Sequence, residues 1–181
     1  GPEGHRSLGQ LGAFVDRLAP AWDGRLRVVA VDRDSGRRVV FGAPGAPPAS
    51  PGDAVRASCA VPWVFEPVQI GGRTYVDGGA WSATNLDVVD ARPGLDVLVL
   101  NPLASLPARS TGGAMRAAVR SGAAVEALAV RRRGARGRIV APDAASAAAM
   151  GPNPMDGSRS AAVLGAGYEQ GRALAAGADA D

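Results

Sequence analysis

Residues 71–81 read GGRTYVDGGAW, a short run with β character, a glycine pair at each end and an aspartate directly before the second pair. A two-residue Gly-Gly turn supplies the positive φ angles that a type I′ hairpin needs. The first pair therefore predicts a hairpin between VQI (68–70) and RTYV (73–76). The turn explains the first two glycines, but it gives no reason for Asp77.

The chain has 181 residues, which is within the usual size range of one domain. Its hydrophobic share is 46%, as in globular proteins, while aromatic residues make up only 4%. Small residues allow helices to pack closely on a sheet, so the composition favours an α/β class. The formal charge of +3 is modest. All 20 basic residues are arginine, which we attribute to codon bias in a GC-rich genome before any function.

Cysteine and histidine usage restricts the chemistry. Cys59 is the only cysteine, so the chain cannot form an intramolecular disulfide, and we expect a reducing, cytoplasmic compartment. We expect neither a metal nor a cofactor, because the carboxylates are scattered and neither paired His or Cys ligands nor a phosphate-binding glycine motif occurs. An apolar stretch long enough to span a membrane and a signal-peptide pattern are both missing from the sequence.

The first half of the chain predicts a helix, a hairpin and a loop before the opening stretch. Apolar residues recur at helical spacing over 7–19, after a possible Ser7 cap and before Pro20. Two β-rich runs around DRDSG predict a hairpin over 26–42. A Pro/Gly loop follows over 42–52.

The remaining elements alternate between helix and strand. Asp53 is predicted to cap a short helix, DAVRASCA, that stops near Pro62. LDVLVLNPL (95–103) predicts a strand covered on both faces, and RIVA (138–141) predicts a second strand parallel to it. The apolar positions of the two helices after residue 103 are Met115, Ala118, Val119, Val125 and Leu128, then Ala161, Leu164, Tyr168 and Leu174.

Nucleophilic catalysis within this sequence has little support. None of the serines has the G-x-S-x-G spacing of a nucleophile elbow, and His5 is the only histidine, so a histidine-dependent triad is not expected. Cys59 could attack a carbonyl in principle, but it lies among small apolar residues. We interpret it as a small buried residue.

The run RRRGARGR (131–138) contains five arginines in eight residues. The simplest interpretation is a solvated helix end, where cations complement the helix dipole. Contact with an anionic membrane surface is the second, and nucleic acid is unlikely as a partner because aromatic residues for base stacking are not interleaved with the arginines. The arginines concerned are Arg131, Arg132, Arg133, Arg136 and Arg138.

Three segments together are more specific than DGG alone: VVAVDRDSGRRVVFG (28–42), AVRASCAVPWVFEPVQIGGRTYVDGG (54–79) and SATNLD (82–87). In their order and spacing they resemble the patatin-like phospholipase family, specifically its bacterial members. The resemblance covers residues 5–103 and weakens toward the C-terminus.

The resemblance implies a lipid acyl hydrolase with a Ser–Asp dyad. Asp77 matches the aspartate of the DGG motif, which serves as the base, and Gly78 and Gly79 match its supporting loop. The implied fold is a three-layer α/β sandwich with a mostly parallel central sheet, and the implied substrate is a lipid ester. Ser82 and Asn85 could hydrogen-bond the loop after Asp77, although capping the next segment is the more ordinary role.

The family's oxyanion loop and G-x-S-x-G serine belong upstream of the matching region. We therefore expect residues 1–181 to be the C-terminal part of a single patatin-like domain, without its N-terminal strands and nucleophile elbow. On the order of 100 residues would be missing, from the size of two strand–helix units. The missing half would be a partner of this chain. The alternative is a truncated or degenerate, non-catalytic fragment that acts, if at all, as an interaction module.

Overall fold

A computed structural model describes residues 4–18, 20–105, 125–153 and 156–178. The chain divides into two compact units, Gly1–Val88 and Val89–Asp181, and each is described by itself. The prediction that residues 1–181 are part of one domain stays a prediction.

The first unit contains two helices and a four-stranded sheet. Its elements are α1 (Gly9–Arg17), β1 (Val28–Asp32), β2 (Arg38–Phe41), α2 (Pro51–Ser58), β3 (Val68–Ile70) and β4 (Arg73–Asp77), followed by 3₁₀ turns at Gly78–Ala80 and Leu86–Val88. The strand order is β2-β1-β4-β3, and every neighbouring pair is antiparallel. Both hairpins predicted from the sequence are confirmed.

The β1–β2 hairpin is closed by the side chain of Asp32. Its Oδ1 accepts hydrogen bonds from the backbone N–H groups of Asp34 and Ser35, at 3.1 and 3.0 Å. Gly36 adopts the left-handed conformation that the reversal requires, with φ of +65°. The other carboxylate oxygen of Asp32 accepts a hydrogen bond from Arg73 Nη1 at 3.0 Å, which ties the turn to β4.

The β3–β4 hairpin has the geometry that its sequence predicts. Gly71 and Gly72 have φ of +56° and +78°, both in the region that a type I′ turn needs. The register pairs Ile70 with Arg73 and Val68 with Tyr75. Asp77 is therefore the last residue of a strand whose position is fixed by a two-residue turn.

The start of α2 differs from the prediction. Ser50, not Asp53, is the N-cap, and its side chain accepts a hydrogen bond from the Asp53 N–H at 3.0 Å. Pro51 fits the first helical position because it has no N–H to leave unsatisfied. The prediction of an Asp53 cap was wrong because the loop was extended too far, to residue 52. Asp53 lies inside the first turn and pairs with Arg56 at 2.8 Å.

The core of the first unit lies between α2 and the sheet. Ala54, Ala57 and Ala60 are fully buried, and their small side chains let the helix approach the strands closely. Phe41 and Tyr75 pack edge to face beneath them, with ring centroids 5.3 Å apart. The core therefore holds β4, and with it Asp77, against α2.

Helix α1 lies against α2. Gly12 is buried in this contact, where an added Cβ would come within 2.3 Å of the Arg56 side chain. Asp16 Oδ1 accepts a hydrogen bond from the Gly52 N–H at 2.9 Å. The helix predicted for residues 7–19 is confirmed in a shorter form. Two of its apolar residues, Phe14 and Leu18, are exposed, whereas Leu8 packs against the core and Leu11 and Val15 are partly buried.

The second unit contains a parallel strand pair and helices. Its elements are β5 (Asp96–Leu100), helical residues 125–132 (α3), β6 (Arg136–Val140), α4 (Ala144–Met150) and α5 (Ser160–Ala178), with 3₁₀ turns at Pro102–Ser105 and Gly157–Arg159. Strands β5 and β6 are parallel, as predicted. Of the first predicted helix, Val125 and Leu128 lie in α3, whereas Met115, Ala118 and Val119 lie outside the described residues.

Strand β5 is not covered on both faces. Leu98 and Leu100 are 62% and 70% exposed, and Val99 is the one buried member of the strand. Within the described residues β5 has a single neighbouring strand. The prediction was wrong because an apolar run shows that a strand can be buried, not that something covers it.

The α/β class is confirmed. The described residues form an antiparallel four-stranded sheet and one parallel pair, so they do not show the mostly parallel central sheet that the resemblance implies. None of the helices in this part of the chain is long and apolar enough to cross a membrane.

Candidate active site

Asp77 is held on two sides at the end of β4. On one side its Cα lies opposite Ala30 of β1 in the antiparallel register. Its backbone N–H donates to the carbonyl of Ala60, just after α2, at 3.0 Å. The position of this residue is therefore set by both the sheet and the end of the helix.

The carboxylate of Asp77 is half-buried, and hydrogen bonds offset little of the cost of its desolvation. Its Oδ1 accepts a hydrogen bond from the Gly79 N–H at 2.6 Å, the only one that the described residues supply to it. Burial raises the pKa of this carboxyl above its ordinary value, and the Gly79 hydrogen bond opposes that effect only in part. The result is a carboxylate with raised proton affinity and an unused oxygen, Oδ2.

The two glycines after Asp77 are required by close contacts. A Cβ on Gly78 would lie 2.4 Å from the carbonyl oxygen of Val29, and a Cβ on Gly79 would lie 2.7 Å from Oδ1 of Asp77. Neither glycine has a positive φ, so conformational freedom is not the reason for them. Gly78 lets the chain pass against β1, and Gly79 leaves room for the carboxylate. The catalytic role of Asp77 and the supporting role of the glycines stay predictions.

Cys59 lies next to Ala60 and close enough to Asp77 for the charge of that carboxylate to affect the pKa of the thiol. The pKa of the thiol is raised, first by burial and then by the Asp77 carboxylate. A thiol with a raised pKa is a poor nucleophile at neutral pH, because the thiolate is the reactive form. Cys59 is half-buried rather than fully buried, and its environment favours the interpretation as a small packing residue.

The loop after Asp77 is closed by Ser82 and Asn85. Ser82 Oγ accepts hydrogen bonds from the N–H groups of Thr84 and Asn85 at 3.3 and 3.2 Å. Asn85 Nδ2 donates to the carbonyls of Gly78 and Ser82 at 3.2 and 2.6 Å. The sequence suggested either loop bonding or capping for these two residues, and the structure gives both of them hydrogen bonds within the loop.

Arg38, which the sequence did not single out, joins this loop to β2. Its two terminal nitrogens donate to the two oxygens of Asp87, both at 2.6 Å, and Nη1 also reaches Asn85 Oδ1 at 3.3 Å. Its guanidinium lies 5.6 Å from the ring centroid of Trp81. The sequence gives little sign of this ion pair, because Asp87, which ends the segment SATNLD, has no basic residue next to it in the chain.

The arginines of the run 131–138 lie in different environments. Arg131 and Arg132 are exposed at the end of α3, and Arg133 follows the helix and reaches the Val89 carbonyl at 3.5 Å. Arg136 forms a two-point ion pair with Asp96, at 2.7 and 3.1 Å, which lowers the pKa of that exposed carboxyl. Arg138 lies opposite Leu98 in the β5–β6 register.

Metal ligands do not cluster in the part of the chain that the structure describes: no group of three or more His, Cys, Asp or Glu side chains there could hold an ion. His5 is exposed.

Comparison with protein families gives this geometry a context. Residues 10–90 match the family described as patatin-like phospholipase. The segment contains both hairpins, α2, Asp77 and the Asn85 loop, and the resemblance seen in the sequence is confirmed over this range. That description indicates a family of lipid acyl hydrolases. A comparison with curated proteins found no match.

Proposed function

We propose that Asp77 is the base of a Ser–Asp dyad in a patatin-like lipid acyl hydrolase. The observation that carries the proposal is the half-buried carboxylate at the end of β4, with a raised pKa and one hydrogen bond, inside the segment that matches the family. The serine would belong to a G-x-S-x-G elbow outside residues 1–181, since the sequence contains no such motif.

The reaction needs an acceptor for the serine proton. Gly79 holds Oδ1 of Asp77, so Oδ2 is the oxygen that would accept a hydrogen bond from the serine hydroxyl. As serine Oγ attacks the ester carbonyl, its proton moves to the carboxylate, and the carboxyl then protonates the leaving alcohol. Water attacks the acyl-serine in the same way, which releases the acid and restores the serine hydroxyl.

Partial burial supports this role for an aspartate. A fully hydrated aspartate is a weak base, and desolvation raises its proton affinity. Because the carboxylate takes the proton directly, the scheme needs no histidine, consistent with a sequence whose one histidine is the exposed His5.

Exposed apolar side chains near the site support a lipid ester as substrate. Trp63 is 75% exposed in the turn after Ala60, the residue that binds the Asp77 backbone, and Val61 is partly exposed beside it. Trp81, four residues after Asp77, is 55% exposed. Aromatic residues with one apolar and one polar edge suit a water–lipid boundary. Transient membrane contact through the five arginines of 131–138 is part of the same proposal.

We also propose the wider setting that the resemblance implies. The complete domain would be a three-layer sandwich with a mostly parallel central sheet, to which the parallel β5–β6 pair would contribute. The protein would act in the cytoplasm, which its single, unpaired cysteine supports.

A non-catalytic interaction module is the second candidate. The observation in its favour is the exposed apolar surface of β5, where Leu98 and Leu100 are largely uncovered. Within the described residues β5 pairs with β6 alone, so its other edge has unpaired backbone groups that invite pairing with another chain. A monodisperse 181-residue chain that unfolds cooperatively would favour a self-sufficient module. Aggregation relieved by the segment that carries the serine would favour the divided enzyme.

Ester hydrolysis tests the proposal. The 181-residue chain should show no hydrolysis of p-nitrophenyl butyrate above the buffer rate, because the nucleophile is outside it. A longer chain that includes the coding sequence in front of residue 1 should hydrolyse the ester. Hydrolysis by the 181-residue chain that disappears in Asp77→Ala would contradict the proposal, since the nucleophile would then lie within these residues.

A further inference from the structure

We propose that Asn85 is a positioning residue for the Asp77 carboxylate and acts on it through the peptide unit between Gly78 and Gly79. The inference deepens the proposed function and rests on it for the catalytic meaning of Asp77, but the geometry stands by itself.

The central element is one planar peptide unit. Its carbonyl belongs to Gly78 and accepts from Asn85 Nδ2 at 3.2 Å, and its N–H belongs to Gly79 and donates to Asp77 Oδ1 at 2.6 Å. In a trans peptide the C=O and N–H point in opposite directions. Fixing the direction of the carbonyl therefore fixes the direction of the N–H, and the hydrogen bond to Asn85 aims the Gly79 N–H at the carboxylate.

The carbonyl of Gly78 is held by three donors. Besides Asn85, the backbone N–H groups of Trp81 and Ser82 reach it at 3.1 and 3.3 Å. Those two bonds belong to the tight turn itself, whereas Asn85 comes from seven residues further along the chain. Asn85 is the one side chain among the described residues that reaches this oxygen, and it prevents the turn from rotating as a unit.

Asn85 is itself held in place. Its backbone lies in the left-handed region, with φ of +46°, where asparagine is among the better tolerated residues. Its N–H donates to Ser82 Oγ, and its Oδ1 accepts from Arg38 Nη1. This last contact also fixes the amide orientation, because the oxygen faces the guanidinium and the nitrogen faces the two carbonyls.

Arg38 connects this arrangement to the sheet. It lies at the start of β2, opposite Val31 in the register, and its two-point ion pair with Asp87 is only partly exposed. Charge-assisted, two-point contacts of this kind hold a side chain in one orientation. The hairpin thus supports Asn85, Asn85 holds the Gly78–Gly79 peptide, and that peptide holds Asp77.

The test uses Asn85→Gly in the 181-residue chain. Glycine accepts the positive φ, so the variant removes the amide without adding backbone strain. Amide hydrogen exchange at Gly79 should accelerate about tenfold, which corresponds to the loss of one net hydrogen bond, while exchange at Asp32 stays unchanged. The pKa of Asp77, followed by NMR of its side-chain carbon, should rise further above the ordinary aspartate value, because the Gly79 hydrogen bond that lowers it is weakened.

Two further variants separate positioning from general loss of stability. Asn85→Asp keeps the shape and the φ preference but cannot donate a hydrogen bond, so exchange at Gly79 should accelerate as in Asn85→Gly. Gln69→Ala removes another side-chain amide, which donates a hydrogen bond to Thr74 Oγ1 on β4 at 2.7 Å. This variant should leave hydrogen exchange at Gly79 unchanged. Unchanged Gly79 exchange and an unchanged Asp77 pKa in Asn85→Gly would overturn the inference.

The outcome is distinguishable from that of the proposed function. Neither hydrogen exchange nor the Asp77 titration requires a serine or a substrate. In a chain with the serine, Asn85→Gly should lower kcat about tenfold with little change in KM. If Asn85→Gly changes hydrogen exchange at Gly79 and the pKa of Asp77 but leaves kcat unchanged, Asn85 is upheld as the residue that holds this carboxylate. Only the role of Asp77 as base is then contradicted.

Discussion

An Asp77→Asn variant, made in a chain that includes the nucleophilic serine, should lose ester hydrolysis by about 10³-fold, within the usual contribution of a general base. Asparagine has the same shape and can still accept the Gly79 hydrogen bond through its oxygen, so the loop should keep its conformation. What it cannot do is take the serine proton. The measurement is kcat/KM for p-nitrophenyl butyrate, with circular dichroism to show that the fold is retained.

Asp53→Asn is the matched control. It removes a carboxylate that pairs with Arg56 on α2 and has no hydrogen bond to the Asp77 loop, so the rate should stay within about twofold, as for a surface substitution. A comparable loss in both variants would show that the effect is not specific to Asp77. Retained activity in Asp77→Asn would contradict its role as the base.

Asp77→Asn should also be more stable than the parent chain at neutral pH. Because burial raises the folded-state pKa of Asp77, the folded state binds the proton more tightly than the unfolded state does. The ionised carboxylate therefore destabilises the fold at pH values above the folded pKa, and that cost disappears as the pH falls below the ordinary aspartate value. Asp77→Asn should melt higher than the parent at pH 7, and the difference should vanish in acid.

Gly78→Ala should destabilise the first unit by about 3 kcal/mol, the upper part of the usual range for overpacking. The new Cβ would lie 2.4 Å from the Val29 carbonyl oxygen and 2.9 Å from its carbon. Backbone atoms of a central strand cannot move aside as the end of a flexible side chain can. Strands β1 and β4 would have to separate locally, and Asp77 would move with them. Urea unfolding measures the loss.

Gly165→Ala provides the comparison for this substitution. Gly165 lies in α5, where an added Cβ meets nothing within 4 Å, so alanine should be neutral or stabilising through its helix propensity. A Gly78→Ala chain as stable as the parent would contradict the close packing of the turn against β1.

Local sequence signals predicted much of the first unit. The Gly71–Gly72 turn and the DRDSG turn each determine their own hairpin, because the residues at the reversal allow few other conformations. Asp77 could be identified because it ends the second hairpin, within a pattern of segments that is more specific than the DGG triplet. Glycine is required at position 78 by the contact with Val29 and at position 79 by the Asp77 carboxylate. These contacts cannot be predicted from the sequence.

The contacts that the sequence could not predict join residues far apart in the chain. Arg38 and Asp87 are separated by 49 positions, and neither has a local pattern that predicts the other. The cap of α2 was misplaced because Ser50 and Asp53 are both good capping residues, and the choice depends on where the loop ends. The apolar run in β5 was read as burial on both faces, although burial depends on what packs against a strand.

The most direct test of the account is active-site labelling with a fluorophosphonate, which forms a covalent bond to an activated serine with loss of fluoride. The longer chain should be labelled at a single serine within G-x-S-x-G, outside residues 1–181, and labelling should slow sharply in Asp77→Asn. The 181-residue chain should not be labelled. Labelling of a serine within residues 1–181, or labelling of the longer chain at a rate independent of Asp77, would contradict the Ser–Asp dyad.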